Sequence, residues 1–236
     1  MSLRIACDLD GVLADMESAL VREARKLFAD AVPAAASDLS SDEPGGSDAD
    51  AAIDPEPDSI PSSIRLTLRQ ERQLWKHVAA RDGFWESLDE IEPGSVARLA
   101  AAARDRRWEV LFLTKRPEGT GFTSQVQSQR WLAAHGFDLP SVFVLQGSRG
   151  RVASALGLDV VVDDRPENCV DVVTDSDARA VLVWRGHRED VPGAARCERL
   201  DIVESFEEGL AILQSLGSRA GVVSRMMGRL GFRRRS

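Results

Sequence analysis

The chain is short of the residues that build disulfide frameworks, zinc sites and histidine-based catalysts. Its 236 residues include three cysteines and three histidines. Cys7, Cys169 and Cys197 are odd in number and far apart, which excludes a disulfide framework and a zinc spacing and points to a reducing compartment. His77, His135 and His187 share no spacing that suits a metal or a triad, and read as surface or helix-end residues. No window approaches the ~18 consecutive apolar residues of a membrane span. The N-terminal "MSLRIACDLDGV" lacks the basic start and long apolar stretch of a signal peptide, so the expectation is a soluble, cytoplasmic protein. A net charge of -8 means that the protein as a whole repels nucleic acid and anionic membranes.

Basic residues are missing from one long segment. Between Ala31 and Ile64 there is no Lys or Arg, while Asp, Ser, Pro and Ala recur. Such a stretch cannot bury enough apolar surface to offset its ordering entropy, and positions 30–63 read as a disordered acidic insertion. The C-terminal end is the reverse. Positions 218–236, "SRAGVVSRMMGRLGFRRRS", carry six Arg and no acid, with Val222, Val223, Met226, Met227 and Leu230 roughly on one helical face. This reads as a frayed basic tail, the alternative being contact with a membrane surface or an acidic partner.

What is present elsewhere is regular. Apolar runs occur at "RIAC" (4–7), "EVLFLT" (109–114), "SVFVLQ" (141–146), "DVVVDD" (159–164) and "AVLVW" (180–184). Helical stretches at 93–107, 122–136, 150–157 and 166–173 separate the later runs. Strands alternating with helices imply right-handed crossovers, and continuously apolar runs imply strands buried on both faces. The expected fold class is therefore α/β: a Rossmann-like parallel sheet covered by helices. Two helical pieces near 16–28 and 65–83 break the rhythm and read as a small helical cap inserted after the first strand. The expected division is a core of 1–12 and 91–215, a cap of 13–90 and a tail of 216–236.

In an open parallel sheet, ligands bind beyond the carboxyl ends of the strands. The first run ends on Asp8 and Asp10, the second on Thr114, Lys115 and Arg116. The third leads into "GSRGR" with Arg149 and Arg151, and the fourth ends on Asp163, Asp164 and Arg165. These types suit phosphoryl transfer. Asp8 and Asp163 can supply carboxylates to Mg²⁺, which is usually held by one or two such groups plus phosphate. A carboxylate can attack phosphorus, a second acid such as Asp10 can move the proton, and Thr114 and a cation near 149–151 can hold phosphate. Lys115 is a further candidate substrate contact; otherwise it and Arg116 are solvated loop charges.

"DLDGVLAD", the strand-end Thr114, the cation after the third strand and "VVVDDRPEN" resemble, in order, the four motifs of the haloacid dehalogenase (HAD) superfamily of aspartate-nucleophile phosphohydrolases. The resemblance spans roughly 3–16 and 80–190. It implies Asp8 as nucleophile, Asp10 as acid/base with its carbonyl on Mg²⁺, Thr114 on phosphate, and Asp163 and Asp164 completing the metal site. The family usually has Lys at its third motif. Here only Arg is on offer, Arg151 first and Arg149 second.

"GFWESLDEIEPG" and "DDRPEN" look most like the 5'(3')-deoxyribonucleotidase branch, which implies Phe84 and Trp85 against a nucleobase. The expected function is Mg²⁺-dependent hydrolysis of a small phosphomonoester, with a nucleoside monophosphate as leading substrate. The alternatives are another small phosphate ester, or a degenerate phosphate- or nucleotide-binding module tethered by its basic tail. The sequence says nothing of oligomeric state.

Overall fold

The computed structural model describes residues 2–28 and 66–216. The acidic insertion and the basic tail both lie outside the described residues. Six strands form one parallel sheet: β1 Arg4–Asp8, β2 Glu109–Thr114, β3 Ser141–Val144, β4 Val160–Asp163, β5 Arg179–Val183 and β6 Leu200–Val203, in the order β3-β2-β1-β4-β5-β6. Seven α-helices accompany them among the described residues. They are α1 Met16–Leu27, α2 Leu68–Ala80, α3 Ser95–Arg106, α4 Ser124–Ala134, α5 Arg149–Leu156, α6 Pro166–Asp175 and α7 at 206–216.

The first five strands fall on the five apolar runs. β6 and α7 extend the expected fold. β6 is an edge strand with only Leu200 and Val203 buried and Asp201 on its exposed flank, so its apolar signal is half that of a central strand.

Because strand side chains alternate between faces, β1 sends Ile5 and Cys7 to one side and Ala6 to the other. The first side, with Val160 and Val162 of β4, packs against Val96 and Leu99 of α3, Trp131 of α4 and Leu210 of α7. The second, with Val161 and Leu182, packs against Ala153 of α5 and Cys169 and Val172 of α6. The buried Leu20 of α1 and Leu74 and Val78 of α2 are continuous with the first cluster. A buried Glu23 on α1 ties these two helices together. It accepts from Lys26 Nζ at 2.8 Å, pairs with His77 Nε2 at 3.0 Å, and accepts from Arg81 of the following turn.

Short polar residues start the helices where the site is built. Asp15, Thr123 and Ser148 cap α1, α4 and α5 by accepting from backbone N–H groups, and Pro166 opens α6. Each such cap is worth about 0.5–2 kcal/mol. The chain winds outward from β1 to β3, returns to β4 beside β1 and winds the other way to β6. The switch point between β1 and β4 is where such sheets open a crevice for ligands. Among the described residues, no helix is long and apolar enough to cross a membrane.

Candidate active site

β1 delivers its two acids to that crevice by a turn that reverses the chain within a few residues. Leu13 N and Ala14 N both donate to Leu9 O, at 2.9 and 2.7 Å, and Gly11 N donates to Ala14 O at 3.1 Å. Leu9 is fully buried, so Asp8 and Asp10, two residues apart, stand on the open side. Gly11 has φ +80°, and a Cβ there would fall on the Asp164 carboxylate. The glycine is required twice, by its backbone and by the neighbour it admits.

Three carboxylates and one guanidinium form the floor. Arg149, the first residue of α5, donates from Nη2 to Asp8 Oδ1 at 2.6 Å, and its Nε lies 3.6 Å from Asp163 Oδ2. Its Nη1 is buried without a hydrogen-bond partner. Asp163, at the end of β4, also accepts from Arg165 N at 2.9 Å and from Asn168 Nδ2 at 3.0 and 3.1 Å. Burial pushes the Asp8 carboxyl well above the ordinary range; Arg149 opposes this, and Asp163, Asp164 and Asp10 add to it. Asp163 is raised for the same first reason, against Arg149 and its hydrogen bonds. Asp164 is pushed up to about 8, by burial and then by the charge of Asp163.

Asp10 belongs to a second network. Arg116 spans its carboxylate, with Nη2 to Oδ1 at 2.7 Å and Nε to Oδ2 at 2.9 Å, and Thr114 Oγ1 donates to Oδ2 at 3.1 Å. Arg116 is itself held by Ser128 Oγ at 2.8 Å and by the ring of Trp85, 4.8 Å from its guanidinium carbon.

A cavity of about 820 Å³ opens above these groups. Its lining includes the polar Asp8, Asp10, Lys115, Arg149, Asp164 and Asn168 and the apolar Met16, Ile91 and Trp184.

The structure therefore brings together Asp8, Asp10, Thr114, Arg149, Asp163 and Asp164, and puts Lys115 on the cavity wall. Three expectations change. Arg151 is exposed on the outer side of α5, and Arg149 is the cation that reaches the carboxylates. Phe84 and Trp85 are not among the residues that line this cavity. Both are buried, meeting edge to face at 4.9 Å, because the segment from 83 to 88 is tucked under α4, where Gln127 accepts from Trp85 N. Arg116, read as a solvated loop charge, is fully buried. Thr114 spends its hydroxyl on Asp10. Asn168 carried no expectation, although it stands within "DDRPEN", five residues beyond Asp163 on the first turn of α6.

Among the described residues, no three Asp, Glu, His or Cys side chains form a ready-made metal cage. The donor chemistry nonetheless suits Mg²⁺, which takes few protein carboxylates and completes its shell with phosphate and water. Asp8 and Asp163 are buried carboxylates that share the guanidinium of Arg149, and Asp164, half-buried, stands near enough for its charge to raise Asp8. This is a surplus of negative charge that a divalent cation offsets.

A parallel doubly wound sheet with paired carboxylates, a hydroxyl and cations at its switch point defines a class of α/β proteins that bind their ligands in that crevice. No family model matches the chain, and no curated protein does. Solved structures do. A HAD family hydrolase from Deinococcus radiodurans, with bound phosphate and sodium, superposes with a TM-score of 0.55 at 16% identity, covering 92% of this chain and 96% of its own. A hydrolase from Pseudomonas syringae gives 0.53 at 15% identity, over 91% and 99%. A haloacid dehalogenase-like hydrolase from Xanthomonas campestris gives 0.52 at 15%, over 93% and 98%. The fold is that of the haloacid dehalogenase-like hydrolases.

Proposed function

We propose that the chain is a cytoplasmic, Mg²⁺-dependent hydrolase of small phosphomonoesters that works through an aspartyl-phosphate on Asp8. The observation that carries this reading is Arg149. One nitrogen holds Asp8, a second lies near Asp163, and a third is buried with nothing to bind. A buried unsatisfied donor is costly, and a phosphate oxygen is the acceptor that this position suits. Bound phosphate in the Deinococcus hydrolase of the same fold supports the assignment. The free state of all three cysteines suits a reducing compartment.

In the proposed reaction, a carboxylate oxygen of Asp8 attacks phosphorus and the bond to the ester oxygen breaks. Asp10 hands that oxygen its proton. Water then attacks the acyl phosphate, Asp10 takes a proton back, and inorganic phosphate leaves with Asp8 restored. Arg149 holds Asp8 in line and neutralises phosphate charge; Arg116 and Thr114 fix Asp10. Asp8, Asp163 and the Asp10 carbonyl would hold Mg²⁺, with Asp164 beside them. When bound, Mg²⁺ supplies the positive charge that favours ionised Asp8 and steadies the phosphoryl group.

The nucleotidase reading loses its aromatic pair, since Phe84 and Trp85 are core residues. It retains the likeness of "DDRPEN". The substrate class is therefore stated as small phosphomonoesters, with nucleoside monophosphates one member. The α1–α2 pair is the proposed cap.

The test is phosphate release from nucleoside monophosphates, sugar phosphates and p-nitrophenyl phosphate, with Mg²⁺ and with EDTA. Turnover should require Mg²⁺ and vanish in Asp8→Asn. Activity surviving that substitution would overturn the assignment, and no turnover on any member would favour the binding-module reading.

A further inference from the structure

The cavity is far larger than a phosphate needs; about 820 Å³ lies in the upper part of the range for small-molecule sites. Its floor is polar. At the end of β5 the lining includes Trp184, the residue after Val183, with Met16 and Ile91 as further apolar lining.

Trp184 is half-buried and tightly fixed. Its backbone N donates to Val203 O at 2.8 Å, and its Nε1 donates to His187 O at 2.9 Å. The turn folds back on the ring so closely that a Cβ at Gly186 would stand 3.2–3.3 Å from indole atoms. The intervening Arg185 fastens this turn to the β1 turn by donating to Gly11 O, and to Glu92 Oε1 at 3.0 Å. With its one polar group already bonded, the indole offers a ligand only an apolar aromatic surface. A ring held in place by backbone loses little freedom when a ligand arrives.

We infer that Trp184 determines specificity in this cavity, selecting phosphomonoesters whose leaving group carries a planar ring. This rests on the phosphohydrolase reading for the word ester, while the binding preference stands on the cavity itself. Stacking on a fixed aromatic favours a ring-bearing ligand over an open-chain one by about ten-fold or more. This platform belongs to the sheet, in place of the Phe84–Trp85 pair expected from the sequence.

The experiment measures dissociation constants of phenyl phosphate and glycerol 3-phosphate by calorimetry on the full chain with Mg²⁺. The chain carries Asp8→Asn so that neither ligand is consumed. Phenyl phosphate should bind about ten-fold tighter. Trp184→Phe should keep most of that ratio, and Trp184→Leu, which preserves apolar volume, should bring it close to one. No preference in the parent, or a preference that survives Trp184→Leu, overturns the inference. Turnover of the substrate panel by the unmutated chain is scored separately. Ring preference without turnover would sink the hydrolase reading and keep Trp184, and turnover without ring preference would do the opposite.

Discussion

Replacing Arg149 with Met should cost the protein both stability and activity, and the size of each loss follows from the contacts. Met keeps the length and the apolar stem and removes the charge. Asp8 and Asp163, 7% and 1% exposed, are then left facing each other without their shared cation. Removing one partner of a buried ion pair costs about 3–5 kcal/mol. Because both carboxyls are already raised by burial, proton uptake relieves part of this, and the lower figure is expected. In a domain of this size, about 3 kcal/mol lowers Tm by roughly 6–12 °C.

Arg149→Lys separates charge from shape. One ammonium cannot reach Asp8, stand by Asp163 and present a third donor as the planar guanidinium does. Loss of one charge-assisted hydrogen bond to phosphate, about 1.5–3 kcal/mol, predicts a fall of roughly 10- to 150-fold in kcat/KM with little change in Tm. Arg151→Met is the control. It is exposed and its described bond is through its backbone to Ser148, so neither quantity should move. Thermal melts in EDTA and initial rates on p-nitrophenyl phosphate read both effects. An Arg149→Met protein within about three-fold of parent kcat/KM and with an unchanged Tm would refute the reasoning. So would a loss that follows Arg151.

Gly11→Ala should lower the urea midpoint by an amount worth at least about 2 kcal/mol, combining the left-handed backbone cost with displacement of Asp164. An unchanged midpoint would mean that the β1 turn is more adaptable than its geometry indicates. Glu23→Gln tests the tie between α1 and α2. Burial alone raises the Glu23 carboxyl, but hydrogen bonds from Lys26 and His77 and the charge of Arg81 outweigh it and hold the group below its ordinary range. A lowered folded value adds stability that is fully present above the unfolded value, about 4.3, and is lost as pH falls through the folded one. The stability gap between parent and Glu23→Gln, about 1–2 kcal/mol at neutral pH and read as a difference in Tm, should therefore close in acid. A gap that stays constant down to pH 3 would contradict this.

The central strands are legible in the sequence because burial on both faces leaves an unbroken apolar run, as in "VVVD" of β4. β6 is not legible for the converse reason. An edge strand half open to water has no such run, and Asp201 within it pairs with Arg179 of β5 at 2.9 Å, a contact that only the folded sheet creates. Residue type at strand ends is legible too, since Asp8, Thr114 and Asp163 need only the strand to be placed. The direction of a side chain beyond the strand is another matter. Lys115 and Arg116 are neighbours of like charge, yet one lines the cavity and the other is buried on Asp10. What separates them is Ser128 and Trp85, brought in by α4 and the segment before α3.

The exchange of Arg151 for Arg149 shows the same limit in its sharpest form. Two residues apart on a helix, their side chains point about 200° away from each other, so α5 can offer the site only one of them. Which one depends on the phase of α5, and that phase is set by α6. Asp171 accepts from Ser148 Oγ at 2.8 Å and from Gly150 N at 2.9 Å. Gly150 packs directly on the backbone of α6, where any Cβ would collide with the Asp171 carbonyl. With Gly150 pressed against α6, Arg149 turns inward and Arg151 outward. A cation after the third strand can be read from the chain alone, but its identity is decided by a contact some twenty residues away, between a glycine and the helix that follows the fourth strand.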